Sequence, residues 1–406
     1  MKNRRFTFLI GAGASAQALP VVNNWGKRMR IQRLFLLGAI NVETIKNEND
    51  DECLKRGEKN FREHATLGGT VLKELESNNE IKKYCEKLLH FAEISDAHAS
   101  LDTFARILFL QDTKESQAKL LELKMMISQF LLIEQIVHGI DKRYDVFLAY
   151  LFRKANGTIE LPNNISIISW NYDLQLELAV ARFLNRYNYE GIQETLRIVP
   201  SLGGNRQISY EHPLLVKLNG SAGLFSSGPY GEDSLLETKV GLNKSSSVAH
   251  DIEEVFKNFY GYITNREYKK EKGPGAIHRI HVDPYLTFAW EEVDVAIHAR
   301  KTANNILRNS HTVTVIGYSF PLFNRDIDRE IFNGSPLNRV YVQDTDDSIS
   351  DVVQRFQAID ATAGKEIVPH SKVREFFVPS HYKFPEKITS TEEVGVTPAA
   401  GVAHEE

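Results

Sequence analysis

Short apolar runs that alternate with helical patterns are the feature that most constrains the fold of this chain. The runs are rich in β-branched residues, and most are followed by a turn signal and then by apolar residues at three- and four-residue spacing. Such runs are typical of buried parallel strands whose crossover helices cover both faces of an open sheet. The sequence therefore predicts an α/β fold with an open parallel sheet of about six strands. The six predicted strands are residues 5–10, 165–169, 214–218, 312–316, 339–342 and 373–378.

The interval between the first two predicted strands is much longer than one crossover. It spans about 150 residues, whereas a crossover connection needs only about a dozen or somewhat more. Its apolar residues recur at helical spacing, so we expect a large helical insertion after the first strand, at residues 26–155. The helices predicted within it are residues 26–40, 71–91, 101–111 and 119–138.

The rest of the chain is expected to form the sheet domain, from residues 1–25 and 156–385. A second, looser insertion is predicted at residues 223–285, where a run of three serines precedes a helical pattern at residues 248–262. Residues 386–406 hold few large apolar side chains, and we expect them to be disordered.

The composition narrows the classes of protein. A formal net charge of -4 argues against a general nucleic-acid binder, which is usually basic. No apolar run is long enough to span a membrane and no secretory signal is recognisable, so we expect a cytoplasmic location and no membrane contact. The two cysteines, Cys53 and Cys85, cannot build a four-cysteine zinc site. We therefore expect ordinary thiols and no metal site.

The first predicted strand runs directly into a glycine-rich turn, Gly11 to Ser15. Glycines allow the backbone to approach an anion closely, and the amides that follow then point at the charge. The turn therefore predicts a phosphate-binding site at the end of this strand, as in Rossmann-like sheets. The third glycine of the dinucleotide-binding fingerprint is absent.

Polar residues also end the next four predicted strands. Because the carboxyl ends of parallel strands meet at one edge of the sheet, these residues should face the same crevice as the glycine turn. Two of the positions have ordinary alternatives, since Asp173 could cap the helix predicted at residues 174–184 and an Asn-Gly pair is a common turn. The strand-end residues are Asn171 and Asp173, Asn219 and Gly220, Gly317 and Ser319, and Asp344.

In this order, the segments resemble the motifs of the sirtuin family. The resemblance covers residues 1–25 and 160–380, and it implies a Rossmann-like sheet domain that binds NAD+. The family has a His-Gly pair where this chain has Asn219 and Gly220. The other matched segments are Gly11 to Ser15, the looser Ala18-Leu19-Pro20, Asn171-Tyr172-Asp173 and Gly317-Tyr318-Ser319.

Two departures indicate which branch of the family the chain resembles. Sirtuin deacylases carry a zinc ribbon with two Cys-x-x-Cys pairs, whereas the two cysteines here are far apart, so protein deacylation is the least favoured activity. The helical insertion and the Ser-Leu-Asp-x-Phe segment at residues 100–104 look like those of bacterial sirtuin-like proteins of antiphage defence. Members of that branch hydrolyse NAD+, and several act with a second protein such as a HerA-type ring ATPase or an Argonaute.

The resemblance thus implies an NAD+ glycohydrolase that depletes NAD+ in infected cells, with NAD+ as substrate and no zinc. It also implies a homo-oligomer and a second defence protein, such as a HerA-type ATPase, while nucleic acid is not directly indicated. One alternative is a non-catalytic regulatory subunit that binds NAD or ADP-ribose. Another is a nuclease or phosphohydrolase, which would need a carboxylate cluster such as Asp344, Asp346 and Asp347 to hold a metal ion.

The resemblance also implies a role for each site residue. Asp173 would accept a hydrogen bond from the nicotinamide carboxamide, and Asn171 would orient the ribose or the attacking water. The family's histidine acts as a base, which Asn219 cannot do because an amide takes up no proton at neutral pH. The Ala12 to Ser15 amides would bind the pyrophosphate, and Gly317, Ser319 and Asp344 would line the adenosine side. The implied binding residues are Gly11, Ala12, Gly13, Ala14, Ser15, Pro20, Gly220, Gly317, Ser319 and Asp344.

Three explanations of Asn219 stay open. In the first, Asn171 and Asn219 orient the water and turnover is slow. In the second, a base comes from elsewhere in the chain, with His212, His278 and His281 as candidates. In the third, the site binds a nucleotide without hydrolysing it.

Overall fold

The structure is a computed structural model that describes residues 5–67, 79–155, 158–186, 189–200, 214–227, 248–264, 282–359, 362, 364–380 and 382. Within them the chain forms eleven β-strands and thirteen α-helices. The predictions for residues 386–406, for the serines at residues 245–247 and for His212, His278 and His281 lie outside the described residues.

A seven-stranded sheet forms the centre of the fold, and its strands are parallel throughout. The eleven strands of all three sheets are β1 (Phe6–Ile10), β2 (Arg153–Ala155), β3 (Thr158–Glu160), β4 (Ile165–Ser169), β5 (Arg197–Val199), β6 (Leu214–Lys217), β7 (Gly220–Ser227), β8 (Val282–Leu286), β9 (Thr312–Ile316), β10 (Arg339–Gln343) and β11 (Glu366–His370). The order across the sheet is β11-β10-β9-β1-β4-β6-β5, while β2 with β3 and β7 with β8 form separate two-stranded sheets.

The predicted α/β fold with a Rossmann-like parallel sheet is confirmed, with seven strands in place of about six. The strand predicted at residues 373–378 is wrong, and the edge strand on that side is β11. The segment is bound by a side chain rather than by a neighbouring strand. Gln343 Nε2 donates to the Glu375 carbonyl at 2.7 Å, and Gln343 Oε1 accepts from the Phe377 amide at 2.9 Å. At the opposite edge, the short strand β5 adds to the predicted set.

Helices pack around the sheet and share its hydrophobic core. They are α1 (Trp25–Leu36), α2 (Val42–Asn47), α3 (Asp50–Leu67), α4 (Asn79–Ala97), α5 (Leu101–Gln111), α6 (Lys114–His138), α7 (Arg143–Leu151), α8 (Gln175–Leu184), α9 (Tyr189–Thr195), α10 (Val248–Thr264), α11 (Asp294–Arg308), α12 (Arg325–Phe332) and α13 (Ile349–Gln357). Seven of them, α1 to α7, lie between β1 and β4 in the chain. The division of the chain into a sheet domain and a helical insertion stays a prediction. No helix in the described ranges combines the length and apolar character that crossing a membrane requires.

Strand β1 lies where the chain reverses its progress across the sheet. After β1 the chain places β4, β5 and β6 on one side, and later places β9, β10 and β11 on the other. Ile10 pairs with Ser169 of β4 and with Ile316 of β9, so these three strands end at the same level. Open α/β sheets bind ligands beyond the carboxyl ends of the strands at such a reversal. This edge of the sheet is therefore the place to look for a site.

Candidate functional site

A cleft opens beyond the carboxyl ends of β1, β4, β6 and β9, and helices α1, α5 and α6 also contribute to its lining. The space inside it is about 740 Å³ when the open mouth is included. Five predicted residues lie outside the lining, and they are Gly11, Gly13, Ala14, Gly220 and Asp344. The structure brings the other eight together, and they are Ala12, Ser15, Pro20, Asn171, Asp173, Asn219, Gly317 and Ser319.

The glycines of the first turn allow two stretches of backbone to touch. A Cβ atom on Gly13 would lie 2.7 Å from the Gly317 Cα, and one on Gly11 would lie 2.6 Å from the Gly317 carbonyl oxygen. The turn after β1 therefore lies directly against the turn after β9. The sequence-based explanation, room for an anion, is not needed to account for glycine at positions 11 and 13.

Part of the predicted amide cradle is already used by the protein itself. The Gly13 amide donates to the Gly317 carbonyl at 2.9 Å, and the Ala14 amide donates to the Gly11 carbonyl at 2.8 Å. The Ala12 amide has no acceptor among the described residues, and Ala12 lines the cleft. In this conformation, the amides of Gly13 and Ala14 are therefore not free to bind a pyrophosphate, whereas the Ala12 amide is.

Ser15 and Asn171 join the ends of β1 and β4. Asn171 Nδ2 donates to Ser15 Oγ at 3.3 Å, and Ser15 Oγ lies 3.4 Å from the Tyr144 hydroxyl of α7. The Ser15 hydroxyl also acts on the Asp173 carboxylate, lowering its pKa against the effect of burial. Two motifs that are 156 positions apart in the chain thus meet inside one cleft, as the strand-end pattern predicts.

Asp173 is buried, and its carboxylate also accepts a hydrogen bond from the nearby backbone. Its Oδ1 accepts from the Gln175 amide at 3.0 Å, at the first residue of α8, so it supports the start of this helix although the N-cap residue is Leu174. Burial raises the pKa of Asp173, and the positive charge of Lys217 acts in the opposite direction. Lys217 is itself buried, pairs with Glu177 at 2.9 Å and donates to the Asp173 carbonyl. Asp173 therefore has a structural function whether or not it contacts a ligand.

A buried ion pair behind the cleft fixes the turn after β1 against the helices. Arg143 Nη2 donates to the Gly13 carbonyl at 2.9 Å and pairs with Asp141 Oδ2 at 2.6 Å. Asp141 Oδ2 accepts from the Gln17 amide at 3.0 Å, and the Asp141 amide donates to Gln175 Oε1 at 2.7 Å. Because every one of these groups is hydrogen-bonded, the network holds the turn and the start of α8 in one arrangement.

Asn219 lines the cleft, yet both ends of its amide are bound to backbone. Its Nδ2 donates to the Trp170 carbonyl at 2.6 Å, and its Oδ1 accepts from the Ala289 amide at 2.8 Å. The side chain thus braces the end of β4 against the loop after β8. Gly220, next in the chain, has φ +64 and lies against the Tyr285 carbonyl, which explains the glycine without a ligand.

A stacked aromatic pair forms part of the cleft wall. The rings of Trp170 and Tyr318 lie 4.8 Å apart and are inclined by 9°, and both side chains are buried. The indole N–H of Trp170 finds no acceptor among the described residues. An unpaired buried donor is costly, so a water molecule or ligand that reached this N–H would satisfy it.

Asp102 is a cleft residue that the sequence did not single out for the site. It lies in the first turn of α5, where Ser100 caps the helix by accepting from the Thr103 amide at 3.0 Å. The Tyr172 hydroxyl donates to Asp102 Oδ1. Burial raises the pKa of Asp102, and the hydrogen bond from Tyr172 acts in the opposite direction. The only sequence signal was its place in the Ser-Leu-Asp-x-Phe segment, which gave no position in space.

Asp344 does not contribute to the cleft. Its Oδ1 accepts from the Thr345 amide at 2.8 Å and from the Ser348 hydroxyl at 2.5 Å, ahead of α13. The predicted role on the adenosine side is therefore not seen in the lining. The residue follows β10, which is separated from β1 by β9, and its carboxylate binds the local turn.

The charged side chains that line the cleft are acidic. Among its described lining residues, two are aspartates, Asp102 and Asp173, and none is lysine, arginine or histidine. The described residues include no group of three or more histidine, cysteine or acidic side chains arranged to hold a metal ion. Cys53 and Cys85 are buried and unpaired, and burial raises the pKa of Cys53 to about 11.

No protein-family model and no curated protein matches this chain.

Proposed function

We propose that this chain binds NAD+ in the cleft and hydrolyses the bond between nicotinamide and ribose. The observation that carries the proposal is the hydrogen bond between Asn171 and Ser15, which joins the first glycine turn to the Asn-x-Asp strand end. Both segments lie at the reversal of a parallel sheet, where such folds bind dinucleotides. The resemblance of these segments to sirtuin motifs supplies the substrate.

The chemistry of the lining suits the cationic end of NAD+. The nicotinamide ring is positively charged, and the two acids of the cleft, Asp102 and Asp173, would stabilise it, since none of the described lining residues is basic. The free amide of Ala12 and the indole N–H of Trp170 are donors for the anionic or hydroxyl groups of the substrate. These features support binding with the nicotinamide riboside inside the cleft.

The reaction needs little acid catalysis. The nicotinamide ring is already cationic in NAD+, so it leaves as a neutral molecule without being protonated. Bond cleavage passes through an oxocarbenium-like state at the ribose, as in glycoside hydrolysis. The protein must hold the ribose and place a water molecule near its anomeric carbon. Asn171, whose amide is held by Ser15, is positioned to orient the ribose or that water.

The direct test measures free nicotinamide after incubation of the purified chain with NAD+. The substitution Asn171→Ala should lower the rate by about 10²–10³-fold, the usual effect of losing one positioning donor. Asn47→Ala, at an exposed position at the end of α2, is the matched control and should keep the parent rate. An Asn171→Ala protein that releases nicotinamide at the parent rate would contradict the proposal.

Because several of the defence proteins that the chain resembles act with a second protein, the proposal includes a dependence of the hydrolase activity on such a partner. The assay is therefore run with the chain alone and with the product of the neighbouring gene. Nicotinamide release in either preparation supports the proposed hydrolase.

A second candidate function is NAD+ or ADP-ribose binding without hydrolysis. Asn219 favours it, because both ends of this amide are committed to backbone and it replaces the family's basic histidine. Calorimetry separates the two functions: saturable binding of NAD+ with no nicotinamide release in either preparation supports a regulatory subunit.

A further inference from the structure

Asp102 reaches the cleft from a part of the chain outside the sheet. It lies on α5, between β1 and β4 in sequence, and contacts the residue that separates Asn171 from Asp173. The contact is a hydrogen bond from the Tyr172 hydroxyl to Asp102 Oδ1. Tyr172 is fixed in turn, because its carbonyl accepts from the Ala222 amide at 2.7 Å. The pair is therefore held beside the proposed ribose-binding residues.

The other titratable side chains of the described lining have structural partners. Asp173 accepts from the Gln175 amide, and Ser15 and Lys217 act on its carboxylate. The Tyr318 hydroxyl donates to Asp328, which is fully buried. Asp102 has only the Tyr172 hydroxyl as a side-chain partner among the described residues. It is also half-buried rather than enclosed, so a molecule in the cleft can reach it.

We propose that the Asp102 carboxylate accepts the proton of the attacking water, with Tyr172 positioning it. This inference rests on the proposed hydrolysis of NAD+. It assigns the base that Asn219 cannot supply, and it places that base on α5 rather than on the sheet.

The step balances without a further reactant. A water oxygen forms a bond to the anomeric carbon of the nicotinamide ribose, and the bond from that carbon to the ring nitrogen breaks. The electron pair of the broken bond leaves with neutral nicotinamide. The water proton passes to Asp102 and is later released to solvent, so the products are ADP-ribose, nicotinamide and one proton.

The surroundings of Asp102 make its carboxylate a stronger base than one in water. Burial raises its pKa, and a carboxylate of higher pKa accepts a proton more readily. Among the residues that the structure describes, the ionisable groups that act on it are Tyr172, which follows β4, and Tyr318, which follows β9. The rate of nicotinamide release should therefore be low below the pKa of Asp102, rise with pH through it and then level off.

The test compares three substitutions at the pair with one control, in the preparation that releases nicotinamide. Asp102→Asn should lower kcat by about 10²–10⁴-fold and abolish the rising limb of the pH profile, as expected for loss of a general base. Asp102→Glu keeps a carboxylate and should recover part of the rate. Tyr172→Phe should move the midpoint of the rising limb to higher pH, because a hydrogen bond to the charged carboxylate is lost.

Asp96→Asn is the matched control, since Asp96 is exposed and pairs with Arg30 away from the cleft. It should leave kcat and the pH profile unchanged. An Asp102→Asn protein with the parent kcat, or with a raised KM alone, overturns this inference and leaves the proposed function standing. A parent protein that releases no nicotinamide in any preparation overturns both.

Discussion

Gly220 has two separate reasons to be glycine. Its φ of +64 lies in the left-handed region, and a Cβ atom there would lie 1.9 Å from the Tyr285 carbonyl oxygen. Gly364 shares only the first reason, because its φ is +74 and nothing lies within 4 Å of an added Cβ. The pair allows the cost of the backbone conformation to be separated from the cost of the collision.

We expect Gly364→Ala to lower the free energy of unfolding by about 1–2 kcal/mol, the cost of an L-residue in the left-handed region. Gly220→Ala should lose about 1–3 kcal/mol more, because the collision is with backbone that cannot rotate away. Urea unfolding of both variants measures the difference. Equal losses at the two positions would contradict the close contact at Gly220.

Single residues also show where sequence reasoning reached its limit. The meeting of Asn171 with Ser15 was predictable, because both follow strands of a parallel sheet, whose carboxyl ends lie at one edge. The partners of Asn219 were not, because Trp170 and the Ala289 amide approach it only through the tertiary fold. The glycine turn was located from sequence, but its physical reason is contact with another turn, which no local pattern carries.

At the scale of elements, β9 and α12 are joined through a buried acid. Asp328 of α12 is fully buried, and its Oδ1 accepts from the Tyr318 hydroxyl beyond β9 at 3.1 Å. Burial raises the pKa of Asp328 well above its usual value. The folded protein therefore holds this proton more tightly than the unfolded chain does.

The stability contribution of Asp328 should therefore depend on pH in a defined direction. An unfolded aspartate has a pKa of about 3.9, so stability falls as pH rises from there to the raised folded pKa, with a slope of up to about 1.4 kcal/mol per pH unit, and then levels off. Asp328→Asn removes this dependence and keeps an acceptor for Tyr318. Unfolding free energies of the parent and the variant should thus diverge in favour of the variant as pH rises.

Asp326→Asn, at an exposed position on the same helix, is the control for losing one negative charge. Parallel curves for the parent and Asp328→Asn across this pH range would show that the carboxyl is not perturbed by burial.

Element boundaries were predictable where one signal dominates. Helix α5 lies at the predicted residues, because Ser100 caps it and its apolar spacing is regular. Strand β11 was missed because it contains Pro369, which weakens a strand pattern and is tolerated at a sheet edge. Strand β5 has three residues, too few for a recognisable pattern.

For the whole molecule, the reversal of strand order at β1 defines where a ligand should bind. The fold class and the sheet edge followed from the sequence, because alternating strands and helices determine them. The approach of α5 to the cleft did not, since Asp102 is 70 positions from Tyr172 and no pattern fixes how the helices fold back.

Ligand binding in this cleft should stabilise the whole fold. ADP-ribose, which a glycohydrolase cannot consume, should raise the free energy of unfolding by about 2.7 kcal/mol at 100 times its dissociation constant. AMP, with one ribose and one phosphate, is the control and should give a smaller rise at the same concentration. Thermal unfolding measures both, and an unchanged midpoint with ADP-ribose would argue against a dinucleotide cleft.

The contact between the turns after β1 and β9 has a mechanical consequence. Gly13 and Gly317 touch through backbone atoms and share a hydrogen bond, so neither turn can shift without displacing the other. A ligand that displaces the backbone near Ser319 should therefore also displace the backbone near Ala12. The two turns should therefore move together, so the cleft does not widen by separating them.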